Sequence, residues 1–126
     1  MPKRETLDAF VAMVLSNKHD EAIERFYTPE STMQENCDPP RKGRDANVAR
    51  ERELMARAKA IHSAIEGPIF VSGDRVVIRW VFRFDLRDGT SFSMDELAYQ
   101  RWDGELIAEE RYYYDPAQRA RRSPSS

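Results

Sequence analysis

Few side chains in this sequence are equipped for nucleophilic or metal chemistry. The 126 residues include two histidines and one cysteine. His19 lies in a polar break, Asn17 to Asp20, between two apolar-periodic segments, where a capping or solvated role is expected. His62 shares a strand face with Ala60 and Ala64, opposite Ile61 and Ile65, and is expected on an outer surface. Two histidines so placed, with no matched cysteine or carboxylate spacing, do not form a zinc site. Cys37 sits in a Pro-rich loop with no histidine near it in sequence, which argues against a nucleophile. The five glycines fall at turns, so there is no Gly-rich phosphate cradle. Acid–base chemistry by carboxylates is what remains. Ser31 to Asn36 reads as a short strand, with Met33 and Glu35 on one side and Thr32 and Gln34 on the other.

The elements that must position such a group are dominated by Ala60 to Asp115, which reads as four consecutive β-strands. Asp88-Gly89 and Asp103-Gly104 are hairpin signals, and Ser72-Gly73-Asp74 is a third turn of similar chemistry. In Val76 to Phe84, Val76, Ile78, Trp80, Phe82 and Phe84 alternate with Val77, Arg79, Val81 and Arg83. One face is therefore apolar throughout. It must be buried, and only the N-terminal half is available to cover it. There, Glu5 to Asn17 carries the helical stripe Leu7, Phe10, Val11, Val14 and Leu15. A second short helix has Ala22, Ile23, Phe26 and Tyr27 on its apolar side, and Pro29 is expected to end it. Cys37 to Gly43 is expected to be a loop around Pro39-Pro40. A third helix follows from Asp45, the expected N-cap, to Ala58, with Val48, Met55 and Ala58 inward.

Composition bounds the class. The length suits one domain, residues 1–118, followed by a basic, polar tail, 119–126, expected to be disordered. A net charge of −2 offers no global attraction to nucleic acid or anionic membrane. One cysteine excludes an internal disulfide and fits a reducing compartment. No apolar run approaches the roughly 20 residues of a membrane span, and the N-terminus is a charged amphipathic segment unlike a signal peptide. A soluble, cytoplasmic protein is expected.

Three helices, a short strand and a meander resemble the SnoaL-like, ketosteroid-isomerase-like branch of the nuclear transport factor 2-like superfamily. The resemblance covers about Thr6 to Gln118. It rests on Ala22-Ile23-Glu24-Arg25-Phe26-Tyr27, on Met33-Gln34-Glu35-Asn36, and on Pro39-Pro40-Arg41-Lys42-Gly43-Arg44. It rests also on Trp102-Asp103-Gly104-Glu105-Leu106-Ile107 leading to Tyr112-Tyr113-Tyr114-Asp115-Pro116. It implies an α+β cone, a curved antiparallel sheet (the short first strand plus the four-stranded meander) wrapped around the three helices. That fold hosts isomerases, dehydratases, cyclases, epoxide hydrolases and non-enzymes.

The resemblance also implies which faces look inward: Phe92, Met94, Glu96, Ala98, Gln100 and Trp102 on the penultimate strand, and Ile107, Glu109, Arg111 and Tyr113 on the last. The implied cavity is lined by Phe26, Met33, Met55, Trp80, Phe82 and Met94, with polar Glu35, Glu96, Gln100, Glu109, Arg111 and Tyr113. Glu35 falls at the general-base position of the isomerases. Walled by Trp80, Phe82 and Met33, its pKa would rise toward neutrality. The isomerase oxyanion hole is made of a tyrosine and a protonated aspartate. Its positions correspond here to Val11 and Ala98, which cannot donate. Arg111, Gln100 or Tyr113 would have to stabilise an oxyanion instead. Alternatively, Glu35, Glu109 and Arg111 form a buried ion-pair network. On the convex face, Val77, Val81, Leu97, Tyr99, Tyr112 and Tyr114 mixed with Arg79, Arg83 and Arg101 imply a homodimer. Two functions follow: an enzyme acting without metal or cofactor on a small apolar carbonyl- or hydroxyl-bearing metabolite, or a non-catalytic ligand-binding or scaffold protein.

Overall fold

The structure, a computed structural model, describes residues 1–123. Helix α1 (Arg4–Leu15) buries Leu7, Phe10 and Val14, and helix α2 (His19–Phe26) buries His19, Ala22, Ile23 and Phe26. Both stripes follow the 3.6-residue period, with Asn17 at a φ of 64° in the turn between them. Strand β1 (Tyr27–Glu35) then begins at once, so Tyr27 is its first residue and Pro29 lies inside it instead of ending α2. The reason is visible in the pairing. β1 aligns Tyr27 with Ile107 and Thr32 with Glu109, so the residues between are looped out of register. A proline there removes no ladder hydrogen bond.

The expected loop after β1 contains strand β2 (Arg41–Lys42), paired antiparallel with Thr32 and Met33. Helix α3 (Arg44–Arg57) starts after Gly43, not after Asp45. Gly43 adopts a φ of 103°, which favours glycine, and its N–H reaches the Ser31 carbonyl at 2.8 Å. Strands β3 (Ala58–Ile65), β4 (Phe70–Ser72), β5 (Arg75–Leu86), β6 (Ser91–Asp103) and β7 (Leu106–Tyr113) complete the sheet, and a 3₁₀ turn spans Pro116–Arg119. The sheet order is β2-β1-β7-β6-β5-β3, with β4 also on β5. All pairs are antiparallel except β1 with β7, so the sheet is mixed, and its first long strand has nine residues. It is curved and unclosed, and with the helices forms an α+β cone.

The core lies between the inner sheet face and the helices. Val76, Ile78, Trp80, Phe82 and Phe84 are buried on β5, and Met94, Ala98 and Trp102 on β6, as their alternation predicts. Phe10 is the hub, meeting Phe26, Tyr27, Trp80 and Trp102 edge-on at centroid distances of 5.6, 6.2, 6.4 and 5.9 Å. Such edge contacts suit the aromatic quadrupole.

Strand β7 departs from simple alternation. Arg101 pairs with Glu109 while the next residue, Trp102, pairs with Ile107, leaving Ala108 as an extra residue. This is a β-bulge, and it shifts the phase of everything after it. Ile107 faces inward before the bulge; Glu110 and Tyr112 face inward after it. Glu109, Arg111 and Tyr113, expected inside, are turned outward. The convex face correspondingly carries Tyr113 and not Tyr112.

Candidate acid–base site

Between the helices and the inner sheet face lies a cavity of about 360 Å³. Phe10, Val14, Tyr27, Met33, Trp80, Phe82 and Met94 supply apolar wall, and Glu35, Glu96, Glu110 and Tyr112 supply polar groups. Period-two alternation on β6 brings Glu96 to the inner face, directly across the ladder from Trp80. Glu96 is 8% exposed and has no hydrogen-bond or ion-pair partner among the described residues. Burial, and then the charges of Glu110 and Glu35, push its carboxyl up to about 8. At neutral pH it therefore holds its proton and presents an O–H donor to the cavity.

Glu110, fully enclosed at 3% exposure, is solvated by protein alone. The hydroxyls of Tyr27 and Tyr112 both donate to its Oε1, and Gln100 Nε2 donates to Oε2 at 2.6 Å. Gln100 is itself fixed, since its Oε1 accepts from Trp102 Nε1 at 3.0 Å. Burial raises the Glu110 pKa while these three donors oppose it. Both tyrosine hydroxyls are held well above their usual range, chiefly by burial and then by the Glu110 charge. Two neighbouring carboxyls in unlike surroundings can take unlike proton states, the arrangement acid–base catalysis requires.

Glu35 stands at the cavity edge and is fully committed. Arg41 donates to its Oε2, and Arg119 Nη2 lies 3.1 Å from its Oε1. The expected network of Glu35, Glu109 and Arg111 does not form; Arg41 and Arg119 take its place at Glu35. Arg119 comes from the stretch expected to be a disordered tail. Its Nε also donates to the Tyr114 hydroxyl at 2.9 Å. Gln118 clamps Asp95, accepting from its N–H at 2.6 Å and donating to its carbonyl at 3.1 Å, and Arg122 exchanges two backbone bonds with Ser91. Residues 124–126 of the tail lie outside the described residues.

His19, expected to cap a helix or face solvent, is buried and lines the cavity. Its ring lies 4.8 Å from that of Phe82, its Nε2 is 2.8 Å from Ser63 Oγ, and its Nδ1 is 3.4 Å from Glu51. Ser63 in turn donates to Asn17 Oδ1 at 2.6 Å. The polar inner position on β3 gives the imidazole a partner, which is why burial is tolerated. His62 is exposed and pairs with Asp85.

Of the residues picked from sequence, Met33, Glu35, Trp80, Phe82, Met94 and Glu96 meet at the cavity. Phe26 and Gln100 are buried behind its wall. Met55 is not in the wall; Leu54, one residue earlier, is. The bulge takes out the other three. Glu109 pairs with Arg101 at 3.1 Å on the surface. Arg111 donates from Nε to the Asn36 carbonyl at 2.7 Å and sits 4.9 Å over the Tyr113 ring. Sequence reasoning missed Glu110, Tyr27, Tyr112, His19 and Arg119. The adjacent pair Glu109-Glu110 carried a usable signal, because one of two consecutive strand residues faces inward whatever the phase. Among the described residues no group of three or more His, Cys, Asp or Glu side chains is arranged to hold a metal ion.

Residues 7–110 match the SnoaL-like domain family. No curated protein matches the chain in sequence. Among solved structures, it is similar to a protein from Mesorhizobium loti described as a SnoaL-like polyketide cyclase, with 23% identity over 87% of this chain and 97% of that one, and a TM-score of 0.73. A Catenulispora acidiphila protein with a ketosteroid isomerase-like fold, in complex with trimethylamine, is 19% identical over 92% and 89%, also at 0.73. An M. tuberculosis epoxide hydrolase of the LEH-like kind is 13% identical over 90% and 83%, at 0.71. These likenesses establish a shared fold. The match over residues 7–110, borne on the three helices and the mixed curved sheet described above, settles the family: the chain belongs to the SnoaL-like domain family.

Proposed function

We propose that the cavity binds a small apolar metabolite bearing a carbonyl or hydroxyl group, and that Glu96 exchanges a proton with it in an isomerisation, cyclisation or dehydration. Proton transfer of this kind is chemistry that side chains can supply without a cofactor. The observation that carries the reading is the Glu96 carboxyl itself, buried in an aromatic wall, open to the cavity and satisfied by no other residue described. Natural cores rarely leave such a group unpaired. Burial, with Glu110 and Glu35 nearby, keeps Glu96 protonated, and Glu35 anchors Arg41 and Arg119 at the cavity edge. In this reading Glu96 takes the catalytic place that the family resemblance gives to Glu35, and Arg111 has a structural role.

A thermal-shift screen of aromatic ketones, lactones and polyketide fragments, followed by turnover assays on the hits, supplies the substrate. Glu96→Gln then lowers turnover by roughly 10²–10⁴-fold while binding persists, and Glu35→Gln lowers stability more than rate. Full turnover in Glu96→Gln overturns the assignment. A second reading, a non-catalytic ligand-binding protein, is favoured by Val11 and Ala98 at positions where a donor would be needed; under it Glu96→Gln changes affinity alone. We infer in addition a homodimer through the convex sheet face, where Leu97, Tyr99 and Tyr113 are 45%, 41% and 44% exposed. Among the described residues no helix is long and apolar enough to cross a membrane. The free, exposed Cys37 suits a reducing, cytoplasmic setting.

A further inference from the structure

What stands opposite Glu96 is narrowed by the distribution of charge around it. Five carboxyls line the cavity: Glu35, Glu51 and Glu53 each stand beside a basic side chain, whereas Glu96 and Glu110 have no cationic side chain among the described residues in salt-bridge contact. The arginines of the wall are engaged elsewhere or face solvent. Arg41 and Arg119 share Glu35, Arg57 holds Glu53 at 3.1 Å, and Arg50 is exposed on α3. Three neutral donors satisfy Glu110 by hydrogen bonding and bring no positive charge to it.

Beside these carboxyls the wall is aromatic. Trp80 is the cross-strand partner of Glu96, so indole and carboxyl are neighbours on the inner face. Phe82 stacks on Trp80, with centroids 5.6 Å apart and planes 18° apart. A desolvated cation is attracted both by a carboxylate and by the negative faces of such rings, tryptophan most of all.

We infer that the molecule this cavity takes carries a basic nitrogen, a protonated amine or quaternary ammonium, seated between the Glu96 carboxylate and the faces of Trp80 and Phe82. The inference rests on the cavity being a ligand site, as proposed above, and adds the charge of the ligand. Until such a charge is beside it, the Glu96 carboxyl holds its proton. The other groups that bear on that proton are Glu110 and Tyr112 from β7, Tyr27 and Glu35 from β1, Glu51 from α3, His19 from α2, and Arg119 from the 3₁₀ turn. Arriving charge displaces the proton. The same carboxyl then becomes a base beside its bound substrate.

The test compares phenyltrimethylammonium with its neutral carbon isostere, tert-butylbenzene, by NMR titration of the full chain at pH 7. The ammonium binds at least tenfold more tightly. Calorimetry in buffers of different ionisation enthalpy shows proton release as it binds, and its affinity rises as pH increases toward 8. Glu96→Gln abolishes both the preference and the proton release, and Glu96→Asp retains the preference in part. If a variant fails to fold, the two probes and the proton count on the wild-type chain decide alone. Equal or tighter binding of tert-butylbenzene overturns the cationic ligand and leaves the cavity reading standing. Binding of neither probe overturns both.

Discussion

A carboxyl that keeps its proton above neutral pH makes folding depend on pH in the direction opposite to a salt-bridged acid. Below about pH 4.5, the ordinary value for glutamate, Glu96 is protonated both folded and unfolded and contributes no slope. Between there and about 8, its folded value, the native state binds the extra proton, so stability falls as pH rises. The slope is about 1.4 kcal/mol per pH unit, amounting to roughly 5 kcal/mol across the window. Urea denaturation at pH 5 and pH 8 should therefore show the wild type losing several kcal/mol more than Glu96→Gln between the two. Equal losses would mean that Glu96 is ionised at neutral pH. The inward position of this residue was legible through the family resemblance and not through apolar alternation, since inward Glu96 and Gln100 are polar while outward Leu97 and Tyr99 are apolar. What was not legible was its isolation. That depends on Arg41 and Arg119 going to Glu35, and on Tyr27, Tyr112 and Gln100 going to Glu110, pairings set by strand register and not by spacing along the chain.

Elements succeed or fail in a sequence reading according to whether their period is unbroken. The aromatic face of β5 and the inner face of β6 are regular, and the stripe of α1 is buried as expected at Leu7, Phe10 and Val14, while Leu15 at its end is exposed. Strand β7 is not regular. One extra residue, Ala108, inverts its later half, and a bulge of this kind leaves no mark in composition. The same holds for β1, where the looped-out stretch accommodates Pro29 within a strand that a proline would ordinarily exclude. Strand β2, with two residues, and the 3₁₀ turn are too short to show any period. Deletion of Ala108 should close the bulge while keeping Ile107 opposite Trp102 and Glu109 opposite Arg101, so Glu110 and Tyr112 stay inward. We expect a cooperative thermal transition by circular dichroism to persist. Its loss would show that the sheet needs the local twist of the bulge as well as the register. Phe10→Ala, removing the ring on which four aromatics converge, should cost about 3–5 kcal/mol by denaturant titration.

For the whole molecule, the sheet has one face closed by helices and the other exposed. Leu97, Tyr99 and Tyr113 stand on that outer face among ion pairs such as Arg79–Asp95 and Arg101–Glu109. Light scattering after size exclusion should give twice the chain mass at micromolar concentration. Tyr99→Lys combined with Leu97→Lys should give the single mass with an unchanged far-ultraviolet spectrum. A wild-type monomer would remove the homodimer from consideration.

The residues after the final strand have a consequence for how such proteins diversify. One side of the chamber is bounded by Arg119, which reaches Glu35 from a turn fastened to β6 through Gln118 and Arg122. That boundary belongs to a stretch outside the main ladder, tied to β6 only at Asp95 and Ser91. A change beyond Tyr113 would alter the chamber's outline at the side that Arg119 closes. Through Arg119 this stretch both bounds the chamber and touches the charge balance around Glu96.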